Sequence, residues 1–279
     1  PNSGWISGDC WNPGSLPSGK YTWHGKKGNT CGESGVATRT FDINHVPGHP
    51  PLVTPTDESS LPTRQVTLTW NDPGDTDNKP VDHRVYRVHV VKEGGTWDYE
   101  SNWDFTSTSL TLDMPEDGQF SWQVDASDGM DSEGYGPANG FIVDTVPPSI
   151  IVDPLPDGRW KTTPLSINYA ADGTGSGVGT VSVKWGDGQE TTIPASGVIV
   201  VPEGSHTPVF RVVDAAGNTS DYEPGEYKVD TIMPLVQLTL TPETPDGQNG
   251  WYVTAPLVTV NAVDQNAPDH SGLSASYYT

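Results

Sequence analysis

Phe120-Ser121-Trp122-Gln123-Val124-Asp125-Ala126, followed after a Gly-, Ser- and Asx-rich turn by Gly140-Phe141-Ile142-Val143, decides the fold. Large apolar side chains at alternate positions place Phe120, Trp122, Val124 and Ala126 on one face of a strand. The stretch Ser101 to Asp144 that contains them repeats the start of the chain. Trp103 answers to Trp5 and Pro115 to Pro17, an offset of 98. Phe120-Ser121-Trp122 answers to Tyr21-Thr22-Trp23 at an offset of 99, because Pro17-Ser18-Gly19 is one residue shorter than Pro115-Glu116-Asp117-Gly118. Thr40-Phe41-Asp42-Ile43 then answers to Gly140-Phe141-Ile142-Val143. An internal period of about 100 residues, built of short alternating strands, implies tandem β-sandwich modules.

Composition agrees with several small modules in 279 residues. Gly 31 and Pro 26 stay below the fraction that marks disorder, and ten Trp with ten Tyr require cores to enter. A net charge of −22, with 14 Lys+Arg against 36 Asp+Glu, excludes nucleic acid and anionic membrane surfaces as partners. It favours cations, calcium in particular. No stretch has the length of a membrane-spanning helix. Cys10 and Cys31 lack the neighbours of a metal or redox motif, so one disulfide between them is expected. By the chain-entropy estimate it contributes roughly 3 kcal/mol, and it points to an oxidising, extracellular setting. The first residue is not Met, the chain opens in mid-module and it stops at Tyr277-Tyr278-Thr279 in mid-strand. We expect a piece of a longer exported protein.

In chain order, residues 1–45 read as the rear of a sandwich, with Tyr21 and Trp23 inward and a bend or bulge at Gly25, where the second copy has Val124. A proline-rich connector follows, with Pro47, Pro50, Pro51, Pro55 and Pro62. Residues 46–145 read as a complete module. Its inner positions are Val66, Leu68 and Trp70, then Tyr86, Val88 and Val90, with Trp97, Trp103 and Phe105 on short strands. Asp144-Thr145-Val146-Pro147-Pro148 is punctuation, repeated 86 residues later as Asp230-Thr231-Ile232-Met233-Pro234. Residues 146–231 form a second type of module. Residues 232–279 repeat its opening, Asp157-Gly158 to Trp160 returning as Asp246-Gly247 to Trp251.

Two resemblances follow from these residues. Thr67-Leu68-Thr69-Trp70, Tyr86-Arg87-Val88 and Gly118 to Ala126 resemble a fibronectin type III module, and residues 1–45 the last strands of one. Trp185-Gly186-Asp187-Gly188 and Val212-Val213-Asp214-Ala215-Ala216-Gly217-Asn218 resemble the bacterial Ig-like and PKD-like repeats of large surface proteins. The resemblance implies an all-β chain of tandem Ig-like and fibronectin type III sandwiches, arranged as beads on a string.

The chemistry-bearing residues are few. Asp72, Asp75, Asp77 and Asp82 crowd one loop and are the candidate calcium ligands, since a hard cation takes six to eight oxygens from such a segment. A solvated turn in which Asp and Asn cap their own backbone explains the same residues. Asp144, Asp153, Asp214 and Asp230 are further candidates at the junctions. Gly173, Gly175, Gly177 and Gly179 read as a turn or a glycine-kinked strand, having no helix after them to hold a phosphate. His83 and His89 share the outer face with Arg87. Trp5, Trp11, Trp97, Trp103, Trp160 and Trp251 are the tryptophans that alternation does not place, and sugar stacking would need two or three coplanar. The sequence carries no His-Glu-x-x-His, phosphate loop or nucleophile elbow. The expected function is non-enzymatic: a structural or adhesive segment of an extracellular or cell-surface protein. Residues 1–45 supply the late strands of a sandwich, of the fibronectin type, and residues 235–279 the early strands, of the Ig-like type; one chain's tail completing the next chain's head into a filament is one reading of these ends, and truncation of a longer chain is the other. The alternative is a set of accessory modules, binding glycan or protein, from a secreted hydrolase. Expected partners are other copies or neighbouring modules.

Overall fold

The computed structural model describes residues 12–17, 19–75, 84–265, 270–273 and 275. Among these the only helical element is a 3-10 turn at Gln248–Gly250, and the rest is strand, turn and loop. No described helix is long and apolar enough to cross a membrane. The chain divides into two compact units, Pro1–Thr145 and Val146–Thr279.

The first unit opens on a ribbon: β1 (Gly19–Gly25), the short pair β2 (Gly28–Asn29) and β3 (Gly32–Glu33), and β4 (Ala37–Ile43). β1 pairs with β4 antiparallel, from Gly19 opposite Ile43 to Gly25 opposite Ala37, without a register shift. Of the bend or bulge expected at Gly25, the bulge is excluded by this register, in which Gly25 ends β1. A glycine whose neighbours are solvated has no packing to distort.

Eight further strands build a sandwich. They are β5 (Leu52–Thr54), β6 (Ser59–Leu61), β7 (Gln65–Trp70), β8 (Val85–Lys92), β9 (Asp98–Glu100), β10 (Ser109–Asp113), β11 (Gly118–Ser127) and β12 (Asn139–Val143). One sheet runs β10-β7-β5 and the other β6-β12-β11-β8-β9. Alternation decides what lies between them. Val66, Leu68 and Trp70 meet Tyr86, Val88, Val90, Phe120, Trp122, Val124, Phe141 and Val143, with Met114 among them. The expected inner set is thus the observed one. Trp103 lies in a turn rather than a strand, and its ring stands 4.8 Å from the guanidinium carbon of Arg87, with the ring of Tyr135 at 4.6 Å. The two rings let Arg87 sit over the sheet near Asp125 and Glu100, each at 3.4 Å.

The repeat seen in the sequence is a repeat of structure. Phe120 faces Phe141 across β11–β12 with ring centroids 5.6 Å apart at 19°, and Tyr21 faces Phe41 across β1–β4 at the same distance and angle. Burial separates the copies: Phe141 is 2% exposed and Phe41 39%.

The second unit starts with β13 (Ser149–Asp153), β14 (Trp160–Lys161), β15 (Ser166–Asp172), β16 (Val178–Trp185) and β17 (Thr191–Ile193). It continues with β18 (Ser196–Val200), β19 (Gly204–His206), β20 (Pro208–Asp214), β21 (Thr219–Tyr222) and β22 (Tyr227–Val229). Sheets β13-β15-β18, β14-β22-β19 and β17-β16-β20-β21 surround Val152, Ile167, Tyr169, Val183, Phe210, Tyr227 and Val229. The glycine run is a turn and a kinked strand, as expected. At Gly179 the β16–β20 register slips by one residue, and a Cβ there would stand 2.7 Å from the Asp214 carbonyl oxygen.

Last come β23 (Leu235–Thr241) and β24 (Leu257–Val263), paired only with each other among the described residues. Val236, Leu238 and Leu240 stand opposite Ala262, Val260 and Val258. That register gathers these six onto one face, while Leu235, Leu257 and Val263 lie on the other with Gln237, Thr239, Thr259 and Asn261, and every residue of β23 is exposed.

Candidate functional site

The punctuation Asp-Thr is held in the same way at both of its occurrences. In the first unit Asp144 N donates to Leu61 O at 3.0 Å, extending the short parallel pairing of β12 with β6. In the second, Asp230 N donates to Lys161 O at 2.9 Å, extending that of β22 with β14. The next residue is then clamped by a carboxylate. Thr145 N and Oγ1 donate to Asp117 Oδ2, each at 2.9 Å. Thr231 N donates to Glu203 Oε2 at 3.1 Å, and its hydroxyl to Glu203 Oε1. The carboxylate lies 28 residues before the threonine in both cases and precedes a positive-φ glycine, Gly118 or Gly204. Sequence reading found the Asp-Thr pairs and missed Asp117 and Glu203. The signal that would have found them is the acid–Gly pair at constant separation.

Asp117 also accepts from Arg64 Nε at 2.8 Å. Burial works to raise its carboxyl, but the bonds from Thr145 and Arg64 outweigh burial and hold it below the usual carboxylate range.

Around Asp230 the second unit assembles a denser cluster. Its carboxylate, 3% exposed, accepts from Ser271 N at 3.0 Å, from the Ser271 hydroxyl and from Ile232 N at 3.2 Å. These bonds, the Ser271 hydroxyl foremost, bring its pKa down to about 2. His270 Nδ1 lies 3.4 Å from Asp230 Oδ1, and the ligand atoms of Glu203, Asp230 and His270 lie within 4.8 Å of one another. The His270 ring stacks over Trp160, centroids 6.4 Å apart at 14°. The sequence had placed Asp230 among the junction candidates, but not Glu203 or His270.

The other candidates fall out differently. Asp72 Oδ1 lies 2.9 Å from Arg84 Nε, and its carboxylate caps Gly74 N at 3.0 Å. A guanidinium thus already stands beside one of the four proposed calcium ligands. Burial, and after it the Asp72 charge, push the nearby Tyr86 phenol up to about 12. Asp75 lies on the same loop, whereas Asp77 and Asp82 lie outside the described residues, as do Cys10, Trp5, Trp11 and His83. Cys31 is exposed. Asp214 closes a turn, accepting from Asn218 N at 2.8 Å and Nδ2 at 2.9 Å. Trp97 packs edge-on against Phe120 at 5.7 Å, and Trp251 is 75% exposed. Two clefts of about 210 and 180 Å³ are smaller than the roughly 300 Å³ at which small-molecule sites begin, and neither is lined by Ser, Cys or His.

No family model and no curated protein matches the chain. Among solved structures it is similar to the FN1–FN3 domains of chicken CNTN1, at 16% identity and a TM-score of 0.31, covering 73% of this chain and 74% of that one. It is also similar to the fibronectin(III)-like modules of Clostridium thermocellum CbhA, at 10% identity and a TM-score of 0.34, covering 64% and 91%. The described residues are all-β, with paired sheets around buried apolar cores.

Proposed function

We propose that this chain is a non-enzymatic structural and adhesive segment of a multi-domain extracellular or cell-surface protein, divided into modules 1–45, 46–145, 146–231 and 232–279. The observation that supports the reading is a pair of strand ribbons, β1–β4 and β23–β24, each paired only within itself among the described residues. On β1–β4 the register puts Tyr21, Trp23, Phe41 and Ile43 on one face, together with Ala37 and with Arg39 opposite Trp23, and Lys20, Thr22, His24, Thr38, Thr40 and Asp42 on the other. On β23–β24 it puts Leu238, Leu240, Val258 and Val260 together, with Leu238 63% exposed. In the sandwich of residues 52–143, the sheet holding β5–β7 covers the sheet holding β11–β12 across one core. β1–β4 repeats β11–β12, and β23–β24 is an early-strand pair of the kind that covers it. A second copy of the chain is the occupant we propose, the β23–β24 face of one packing on the β1–β4 face of the next and repeating as a heterologous contact into a filament.

Size-exclusion chromatography with light scattering over a concentration series, followed by electron microscopy, tests this. Concentration-dependent growth into fibres with one chain per repeat, abolished by Leu238→Glu, supports it. A strict monomer at the highest attainable concentration overturns it.

A further inference from the structure

We propose that Glu203, Asp230 and His270 form a binding site for a divalent transition-metal ion of the zinc class, which pins the segment around His270 to the end of β22 and the turn before β19.

The donor set selects the ion. One imidazole and two carboxylates suit zinc and its neighbours in the first transition row, whereas calcium takes an all-oxygen shell of six or more ligands. The spacing fits as well. Ligand bonds of about 2.0–2.1 Å in a tetrahedron place donor atoms about 3.3 Å apart. His270 Nδ1 and Asp230 Oδ1 already stand at 3.4 Å, and the set as a whole closes within 4.8 Å. Glu203 is the exposed member and supplies the remaining movement and a path of entry.

The independent observation is His270 itself. Its side chain is only 6% exposed, and Nδ1 makes no hydrogen bond while pointing at the carboxylates. Its neighbour, Asp230 Oδ1, stands at an ion-pair distance of 3.4 Å without hydrogen-bond geometry, and a buried ring nitrogen held so loosely gains from a better-placed acceptor of its lone pair. A metal ion is such an acceptor.

The outer contacts are those a metal site requires. Thr231 donates N–H and O–H to Glu203, and Ser271 donates both of its groups to Asp230, which leaves the second lone pairs of the inner oxygens free. The stack on Trp160 fixes the plane of the imidazole.

The test is calorimetric titration of the full, metal-freed chain with zinc(II) chloride. One ion per chain is expected, with a rise in the melting temperature that follows the zinc concentration. His270→Ala should weaken binding more than tenfold and Glu203→Gln about tenfold, in line with the effect of losing shell partners. Millimolar calcium should not displace the zinc. Cobalt(II) on the unmodified chain provides a readout independent of any variant: visible d–d absorption of a four-coordinate nitrogen–oxygen site that zinc quenches. Absence of zinc binding at high micromolar concentration, equal affinity in His270→Ala, displacement by calcium, or a cobalt spectrum no different from the aqueous ion would each overturn the proposal.

Discussion

Two phenylalanines with the same local geometry should differ severalfold in what they contribute. Phe141 and Phe41 each stack on a ring across an antiparallel pair, at 5.6 Å and 19° in both copies. If the stack set the energy, Phe141→Ala and Phe41→Ala would be equally damaging. Burial sets it instead. Phe141 is 2% exposed and packs with Phe120, Trp122 and Val143, so its truncation leaves a cavity and should cost about 3–5 kcal/mol. Phe41 is 39% exposed on a ribbon that contributes no residue to either buried cluster. Its truncation removes a stack worth about 0.5–1.5 kcal/mol plus a little half-wet area. For a sandwich of this size, each kcal/mol moves the melting temperature by about 4–8 °C. Scanning calorimetry of the dilute chain, with urea titrations beside it, should therefore show a fall of at least about 12 °C for Phe141→Ala. Phe41→Ala should leave the same transition within a few degrees. Equal losses for the two variants would refute the reasoning, because they would mean that the β1–β4 face is covered even in dilute solution.

Asp117→Asn should lower the melting temperature of the first unit at neutral pH, by an amount corresponding to about 1–2 kcal/mol for weakened charge-assisted bonds to Thr145 and Arg64. The folded pKa of Asp117 lies below its unfolded value, so its contribution is fully present above the unfolded carboxylate pKa of about 3.9 and fades as pH falls through the folded value. The acid limb of the melting curve should be shallower in Asp117→Asn, and an unchanged slope would remove the assignment. For Cys10 and Cys31, intact mass with and without reduction should differ by one bridge, and two free thiols under oxidising conditions would sink both the pairing and the extracellular inference drawn from it.

What was legible in the sequence was whatever depends on alternation along one strand. Val66, Leu68, Trp70, Tyr86, Val88 and Val90 were readable because the pleat gives every second residue the same environment. The Ser101–Asp144 repeat was readable for the same reason. Features that join distant segments were not. Trp103 looked like a strand residue, because nothing near it in sequence announces its contact with Arg87. Glu203 and His270 carry no local pattern: Glu203 is a neighbour of Asp230 because β19 pairs antiparallel with β22, Gly204 opposite Val229, and His270 stands 40 residues further along the chain. Gly25 misled for the opposite reason. Its counterpart Val124 sits in a core, and the expectation of a bulge assumed a core around Gly25 as well.

The acidic composition has a structural use that a net charge of −22 conceals. With 14 basic residues against 36 acidic ones, few carboxylates can find a cation. Many are satisfied by N–H and O–H donors at the strand ends. Asp57 takes Gly140 N at 2.7 Å, Asp128 takes Met130 N at 2.8 Å, Asp214 takes Asn218 N at 2.8 Å and Asp246 takes Val253 N at 2.7 Å. Asp117 and Glu203 extend the habit to the threonines after β12 and β22. Bonds of this kind act at contact distance, so salt screens them little, while protonation removes the acceptor charge outright. A chain built so is held at its turns and module ends by bonds from backbone N–H groups to carboxylates. Asp230 gathers three N–H and O–H donors. Ser271 and Ile232 serve its carboxylate, yet the facing nitrogen of His270 is left without a hydrogen bond. An added cation would meet that nitrogen and the carboxylate at once. The same shortage of cations that makes backbone N–H groups the usual partners elsewhere in this chain makes that one position a place for a metal.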